Sequence, residues 1–309
     1  MSSHDLHALR RGILGVTLAV ACFAALDTLT KLLAGLVPLA IVIWARYLFL
    51  LVVTGGTQIP RRGRAAWHTR HLGLQLTRGL CLLLCSVFAF LSLRHMPVGE
   101  FTAVVMLTPL VITAAAAVTL GEAVSIWRWA CVLGGFLGAL VVIRPDADDF
   151  NWALLFPLGL VATNAAYQVL TSRLARADED AGTMQLFTGL VGMGLSSLAL
   201  PFVWQGMPPA WVCGVLVGVG AMGLLGHGFL IRAYSHAPAS RLTPFLYLQI
   251  GFAMVGGWLM FGQVPDRWAW LGVGLIAACG VAGTWLTARE RAAAARAEED
   301  ANAALASTF

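Results

Sequence analysis

The sequence predicts an all-α membrane protein: ten transmembrane helices arranged as two inverted five-helix repeats. Three observations predict it. The 309 residues are 59% hydrophobic and only 11% charged, with a mean hydropathy of +0.80. The apolar residues fall in long unbroken runs, and the second half of the chain matches the first when slid along it by 141 residues.

An ordinary soluble domain is about 25% charged, so this chain lacks the polar surface to face water, and lipid is the alternative solvent. A helix crosses the roughly 30 Å hydrocarbon core with about 20 apolar residues. Barrel strands alternate apolar and polar residues, which these continuous runs do not. The six cysteines (Cys22, Cys81, Cys85, Cys131, Cys213, Cys279) all lie inside apolar runs and read as small buried hydrophobes. Neither a metal nor a cofactor is expected.

In chain order, residues 1–11 form an N-terminal segment. Arg10 and Arg11 precede the first span, 12–33, in the manner of a signal peptide. The apolar run continues to Leu33 and more follow, so an uncleaved span is expected. Next come 37–55, 73–93, 98–119 and 127–143, then 152–173, 182–203, 210–232, 239–261 and 267–287. Pro97, Pro145, Pro209, Pro238 and Pro265 sit in or beside the breaks, where proline ends one helix or starts the next. Residues 288–309, rich in Ala, Glu and Arg, read as a solvated helix or a disordered tail. No loop is long enough to hold a soluble catalytic or receptor domain.

The net charge of +5 is explained by topology, without a nucleic-acid partner. With the N-terminus in the cytoplasm, the cytoplasmic segments hold Arg10, Arg11, Arg61, Arg62, Arg64, Arg70, Arg128, Arg173, Arg176, Arg232, Arg241, Arg289, Arg291 and Arg296. The opposite side holds Arg94, Arg144 and Arg267 and an acidic loop with Asp146, Asp148 and Asp149. The positive-inside rule then puts both termini in the cytoplasm of a multi-pass protein of the cytoplasmic (inner) membrane. Both termini on one side requires an even number of spans.

The 141-residue slide sets His95 on His236, Pro97 on Pro238, Thr102 on Thr243 and Leu107 on Leu248. It also sets Gly121–Glu122 on Gly262–Gln263, and Trp127 and Trp129 on Trp268 and Trp270. The shared punctuation carries more weight than the apolar identities, which arise easily by chance. Residues 12–143 and 152–287 thus read as two copies of five helices. Five is odd, so the second copy enters the membrane from the opposite side. Inverted pairs of this kind are the architecture of many transporters, with the substrate near the midplane between repeats.

The stretch Met96-Pro97-Val98-Gly99-Glu100-Phe101-Thr102-Ala103, then Leu107-Thr108-Pro109-Leu110, Leu120-Gly121-Glu122 and the region of Trp127 resembles the EamA type of the drug/metabolite transporter superfamily. Asp27-x-x-x-Lys31 and the mid-span Arg46 share the likeness, which covers spans 1 to 10. The resemblance implies a ten-helix fold and carriage of a small organic solute, the family including exporters and importers of amino acids, nucleotide-like metabolites and vitamins. The second repeat departs from the pattern: Gln263 stands where Glu is usual, and Ile250 stands opposite Pro109. A kink in helix 4 is therefore expected without a partner in helix 9.

Ionisable residues inside a span are costly and point to function. Arg46 lies roughly 13 Å below the outer surface at about 1.5 Å per residue, too deep to snorkel. Asp27 lies roughly 22 Å from the inner surface by the same rise, at similar depth on the preceding helix. The two are expected to pair, either as a fastening salt bridge or as a substrate or coupling site. Lys31 and Arg78, near span ends, read as snorkelling side chains. Asn164, Tyr167 and Gln168 share one helix face that must turn to other helices or a cavity. Thr108 and Gln249 are mid-span equivalents under the slide, and both are cavity candidates, with Tyr247 and Trp258 as aromatic walls. His227, in a glycine-rich helix, is either a proton carrier near neutral pH or a packing residue. Glu100 reads as a charge at a helix start, and Glu122 as a cap or a conformational residue.

These features favour a secondary transporter that moves a small-molecule solute by alternating access, with no catalytic residue. A coupling proton or a counter-solute, membrane lipid, and a second copy of the chain as a homodimer are its remaining expected partners. No Walker motif supplies ATP hydrolysis. The alternative is an intramembrane enzyme acting on a lipid or other membrane substrate, but H-E-x-x-H and G-x-S-x-G are absent. A channel is disfavoured by the inverted repeat and the scattered midplane polar groups.

Overall fold

The computed structural model describes residues 3–112, 125–143, 155–177, 179–204, 206–236, 242 and 245–306. Among them run ten α-helices: α1 (Ser3–Ala34), α2 (Leu39–Arg62), α3 (Leu72–His95), α4 (Val98–Val105), α5 (Ile126–Ile143), α6 (Phe156–Arg176), α7 (Ala181–Val203), α8 (Ala210–His236), α9 (Leu248–Phe261) and α10 (Arg267–Ala306). One 3-10 turn, Gly63–Trp67, follows α2, and the described residues contain no strand. The expected Gly121–Glu122 punctuation, the loop at 144–151 with Pro145, and Pro238 lie outside the described residues.

Among the described residues, six stretches are long and apolar enough to cross a bilayer: Arg10–Ala34, Leu39–Trp67, Leu72–His95, Ala181–Val203, Ala210–Leu230 and Arg267–Glu290. Val98–Ile112, Ile126–Val142 and Leu248–Phe261 are shorter apolar helices. Helix α6 has 21 residues but a polar middle, with Thr163, Asn164 and Gln168. The protein is a multi-pass helical membrane protein. Its tail is not a loose extension: α10 continues unbroken to Ala306.

Local chemistry sets several helix ends. Pro38 and Pro97 sit just ahead of α2 and α4, where a fixed φ suits helix entry and a missing N–H costs nothing. The Asp180 carboxylate caps α7 by accepting from the Thr183 N–H at 2.9 Å. Gly262 stops α9 in the left-handed region at φ 65°, which glycine adopts without Cβ strain. The next residue, Gln263, reaches the other half, its Oε1 accepting from the Val98 N–H at 3.2 Å. An orphan donor in the first turn of α4 is thereby satisfied.

Each helix of the first half packs most extensively on one of the second: α1 on α8, α2 on α7, α3 on α6, α4 on α9 and α5 on α10. The core is consequently an interface between halves, with Leu93, Phe101 and Val104 packed with Ile250, Ala253 and Ile276. Lipid is as apolar as leucine, so close packing of small residues joins such helices. Gly138 and Gly272 let α5 and α10 cross backbone to backbone: a Cβ on either would come within 2.9 Å or less of the other's carbonyl oxygen. Gly192 of α7 leaves the room that the Tyr47 ring of α2 occupies.

The kink of helix 4 does have a partner. Helix α4 loosens at Met106–Leu107, where the Leu107 N–H bonds to Val104 O, three residues back. Pro109 has no N–H for Val105 O, and the Thr108 hydroxyl takes that carbonyl at 2.7 Å. Across the interface a turn at Tyr247, 141 residues on from Met106, precedes α9, and the Ile250 N–H again bonds three residues back. The Tyr247 hydroxyl donates to Met106 O at 3.3 Å. Backbone carbonyls loosened inside the helices are thus satisfied by side chains.

Candidate substrate site

Asp27 lies in the C-terminal third of α1, seven residues before Ala34, and is half-buried. Its Oδ2 accepts from Gln249 Nε2 of α9 at 3.3 Å, a bond that joins the two halves of the chain. The fully buried Thr102 hydroxyl of α4 neighbours the same carboxylate. Three helices therefore converge on one carboxylate.

The expected Asp27–Arg46 ion pair is not formed. Among the described residues, ion pairs within 4.0 Å are Arg62–Asp180 and Arg128–Glu290. Arg46 points instead to α3, where its Nη1 donates to Ser86 Oγ at 3.3 Å. Ser86 gives its own proton to Leu82 O and also meets the Tyr47 hydroxyl at 3.0 Å. The Arg46 guanidinium is half-buried and borders Gly223 of α8, where a Cβ would lie 3.9 Å from Nε. His227, one turn along α8 from Gly223, meets Phe23 edge-on with ring centroids 5.1 Å apart.

The polar face of α6 divides. Gln168 Nε2 reaches Asn164 Oδ1 at 3.5 Å, and Asn164 Nδ2 reaches Thr108 Oγ1 at 3.4 Å, so this branch joins α4. Tyr167 turns to Arg78, whose Nη2 donates to its hydroxyl at 2.8 Å. Arg78 is not a snorkelling residue. It is buried and donates also to Thr171 Oγ1 (2.7 Å), Thr188 Oγ1 (2.6 Å) and Met184 O (3.0 Å). Four neutral acceptors from α6 and α7 hold a charge that has no carboxylate within 4.0 Å among the described residues.

Lys31 is likewise engaged rather than snorkelling: Nζ donates to Leu93 O at 2.6 Å and Met96 O at 2.7 Å, capping the C-terminus of α3. The opposite end is tied by acids. Glu179 accepts from the Thr69 hydroxyl (2.9 Å), the Arg70 N–H (3.1 Å) and Gln75 Nε2 (3.3 Å). Asp180 pairs with Arg62. These contacts latch the α2–α3 connection to the α6–α7 connection. An apolar recess of about 660 Å³ between α3 and α7 is lined by Leu76, Leu80, Phe187 and Leu195. It faces outward, away from Asp27 and Arg46, and belongs to the lipid surface.

Sequence reasoning singled out Asp27, Arg46, Thr108, Asn164, Tyr167, Gln168, His227 and Gln249. The structure links Asp27 with Gln249, Thr108 with Asn164 and Gln168, and Tyr167 with Arg78. Ser86, Thr102 and the roles of Lys31, Arg78 and Gln263 were missed. A lone serine or threonine in an apolar run gives no signal, whereas the depth of Arg78 could have raised it.

The chain resembles a riboflavin transporter of Vibrio cholerae, 32% identical over 69% of this chain and 72% of that protein. It also resembles a riboflavin transporter of Brucella anthropi, 30% identical over 84% and 93% of the two chains. A pseudopaline exporter of Pseudomonas aeruginosa is 26% identical over 84% and 91%. One crystal structure shares the fold with a TM-score of 0.60 at 19% identity, over 88% of this chain and 98% of that one. The EamA-like transporter family model matches residues 10–144 and again residues 151–286. With most of its length covered by that match, the chain belongs to the EamA-like transporter family and is a transporter of a small metabolite, not an enzyme.

Proposed function

We propose that this protein carries riboflavin across the cytoplasmic (inner) membrane by alternating access. Ten spans form two inverted five-helix repeats, and both termini are cytoplasmic. The repeat is supported by the pairing of every first-half helix with one of the second, and by the paired breaks at Met106 and Tyr247. The two separate family matches support it too. The orientation rests on the arginine asymmetry.

The observation that carries the mechanism is the Gln249–Asp27 bond. A carboxylate at mid-depth, held by the opposite half, is where a bound solute senses both halves at once. Riboflavin is the solute because two riboflavin transporters align at 30% identity or more over most of this chain. Its ribityl hydroxyls are donors, matched by the Asp27 carboxylate. Thr108, Asn164 and Gln168 extend the polar wall.

Purified protein in liposomes preloaded with unlabelled riboflavin tests this reading. Saturable counterflow of labelled riboflavin is expected, with the solute recovered unchanged. No counterflow above empty liposomes, or chemical conversion of the flavin, would contradict it. Repeating the assay with an imposed pH gradient, and with no solute inside, separates proton coupling from obligatory exchange.

A further inference from the structure

Among the described residues, Arg46 is a cation inside a span whose donors are only partly used. A guanidinium has five N–H donors. Arg78 uses four of its own on protein acceptors. Arg46 uses one, on Ser86, and no carboxylate lies within 4.0 Å among the described residues. Its other nitrogens are not among the buried atoms left without a partner, so they face accessible space in which a ligand can supply acceptors. Gly223 of α8 leaves room beside Arg46 for one methyl group: an added Cβ would meet Nε at 3.9 Å, Nη2 at 4.0 Å and Leu26 Cδ2 at 4.0 Å, all ordinary contacts. Adding a side chain there would fill the approach to the fork.

We infer that Arg46 is the specificity-determining donor of the site, and that its guanidinium engages the ring edge of a flavin rather than the ribityl chain. The inference rests on the substrate reading above and deepens it. The guanidinium fork is planar and rigid, and it suits two adjacent, co-planar acceptors. The isoalloxazine ring presents such pairs, each a carbonyl oxygen beside a ring nitrogen. Ribityl hydroxyls are neither co-planar nor fixed, and as donors they suit Asp27. Arg46 and Asp27 thus divide the ligand between them, which accounts for their not pairing with each other.

Lumiflavin, which keeps the ring edge and replaces the ribityl chain with a methyl group, separates the two contacts. Binding of riboflavin and of lumiflavin is followed by flavin fluorescence quenching on purified protein. Arg46→Gln should weaken both ligands by the same factor, about tenfold to hundredfold for a bond to a charged group. Arg46→Lys keeps the charge without the fork and should remain about tenfold weak for both. Loss for riboflavin alone would put Arg46 on the ribityl chain and overturn the inference. Unchanged binding of both would overturn it as well. A wild-type protein that binds neither flavin would overturn the substrate reading, and this inference with it. Should the Arg46 variants not fold, Gly223→Val leaves the arginine and its Ser86 bond in place while filling the space beside the fork. The same parallel loss is expected there, and wild-type binding of both flavins would contradict the inference.

Discussion

Gln249, in the first turn of α9, donates a hydrogen bond at 3.3 Å to Asp27 of α1, across the interface between the two halves. Asp27→Asn keeps the shape and removes the charge, and Gln249→Leu removes the donor. Each should lower riboflavin counterflow by about tenfold or more, the usual weight of a hydrogen bond to a charged group. Folded yield should stay near wild type, because the packing around α1 is unchanged. Initial rates in proteoliposomes are the check, and either variant transporting at the wild-type rate would remove Asp27 from the site.

Arg78 should behave in the opposite way. Its four bonds to Thr171, Thr188, Met184 and Tyr167 make it a bolt between α3, α6 and α7. Arg78→Ala should cost about 3 kcal/mol of stability or more, through lost bonds and the void left behind. Arg78→Met, which fills much of the volume without a charge to desolvate, should recover most of it. Thermal unfolding in detergent measures both. An Arg78→Ala protein that melts with the wild type would show that the bolt contributes nothing.

What the sequence made legible, and what it did not, follows from lipid as a solvent. The apolar runs had to be about as long as the bilayer is thick, so α1, α2, α3, α7 and α8 lie close to their expected spans. The partner of each helix was not legible. Contacts such as Gly138–Gly272 and Gly192–Tyr47 depend on small residues meeting across more than a hundred positions, with no periodic signal. Lys31 and Arg78 were read by distance from a helix end, which ignores acceptors brought in by other helices. The break at Tyr247 was missed for a related reason. Proline announces a kink in the sequence, whereas a side chain that satisfies the freed carbonyl of Met106 does not.

The latch at Glu179 and Asp180 should hold its end of the carrier closed. Glu179→Ala removes three accepted bonds and should shift the population towards the state open at that end. Spin labels at Arg64→Cys and Ala181→Cys, both exposed positions, report the separation by dipolar spectroscopy. Their distance distribution should gain a longer component in the Glu179→Ala background. An unchanged distribution would mean that the latch does not set the equilibrium. With native cysteines removed, Arg64→Cys should also react with an impermeant thiol reagent only after cells are permeabilised; reaction in intact cells would reverse the proposed orientation.

Alternating access to a flavin site beside Arg46 is the central claim, and Gly223→Cys tests it most directly. A cysteine there places its Cβ in ordinary contact with the Arg46 guanidinium, at mid-depth on α8. In a background free of other cysteines, an impermeant thiol reagent should label it from the outer face in intact cells and from the inner face in inverted vesicles. Riboflavin, supplied at a concentration that offsets the weaker binding caused by the added side chain, should slow the reaction from both sides. Labelling from one face only, or labelling from both that riboflavin leaves unchanged, would contradict the account.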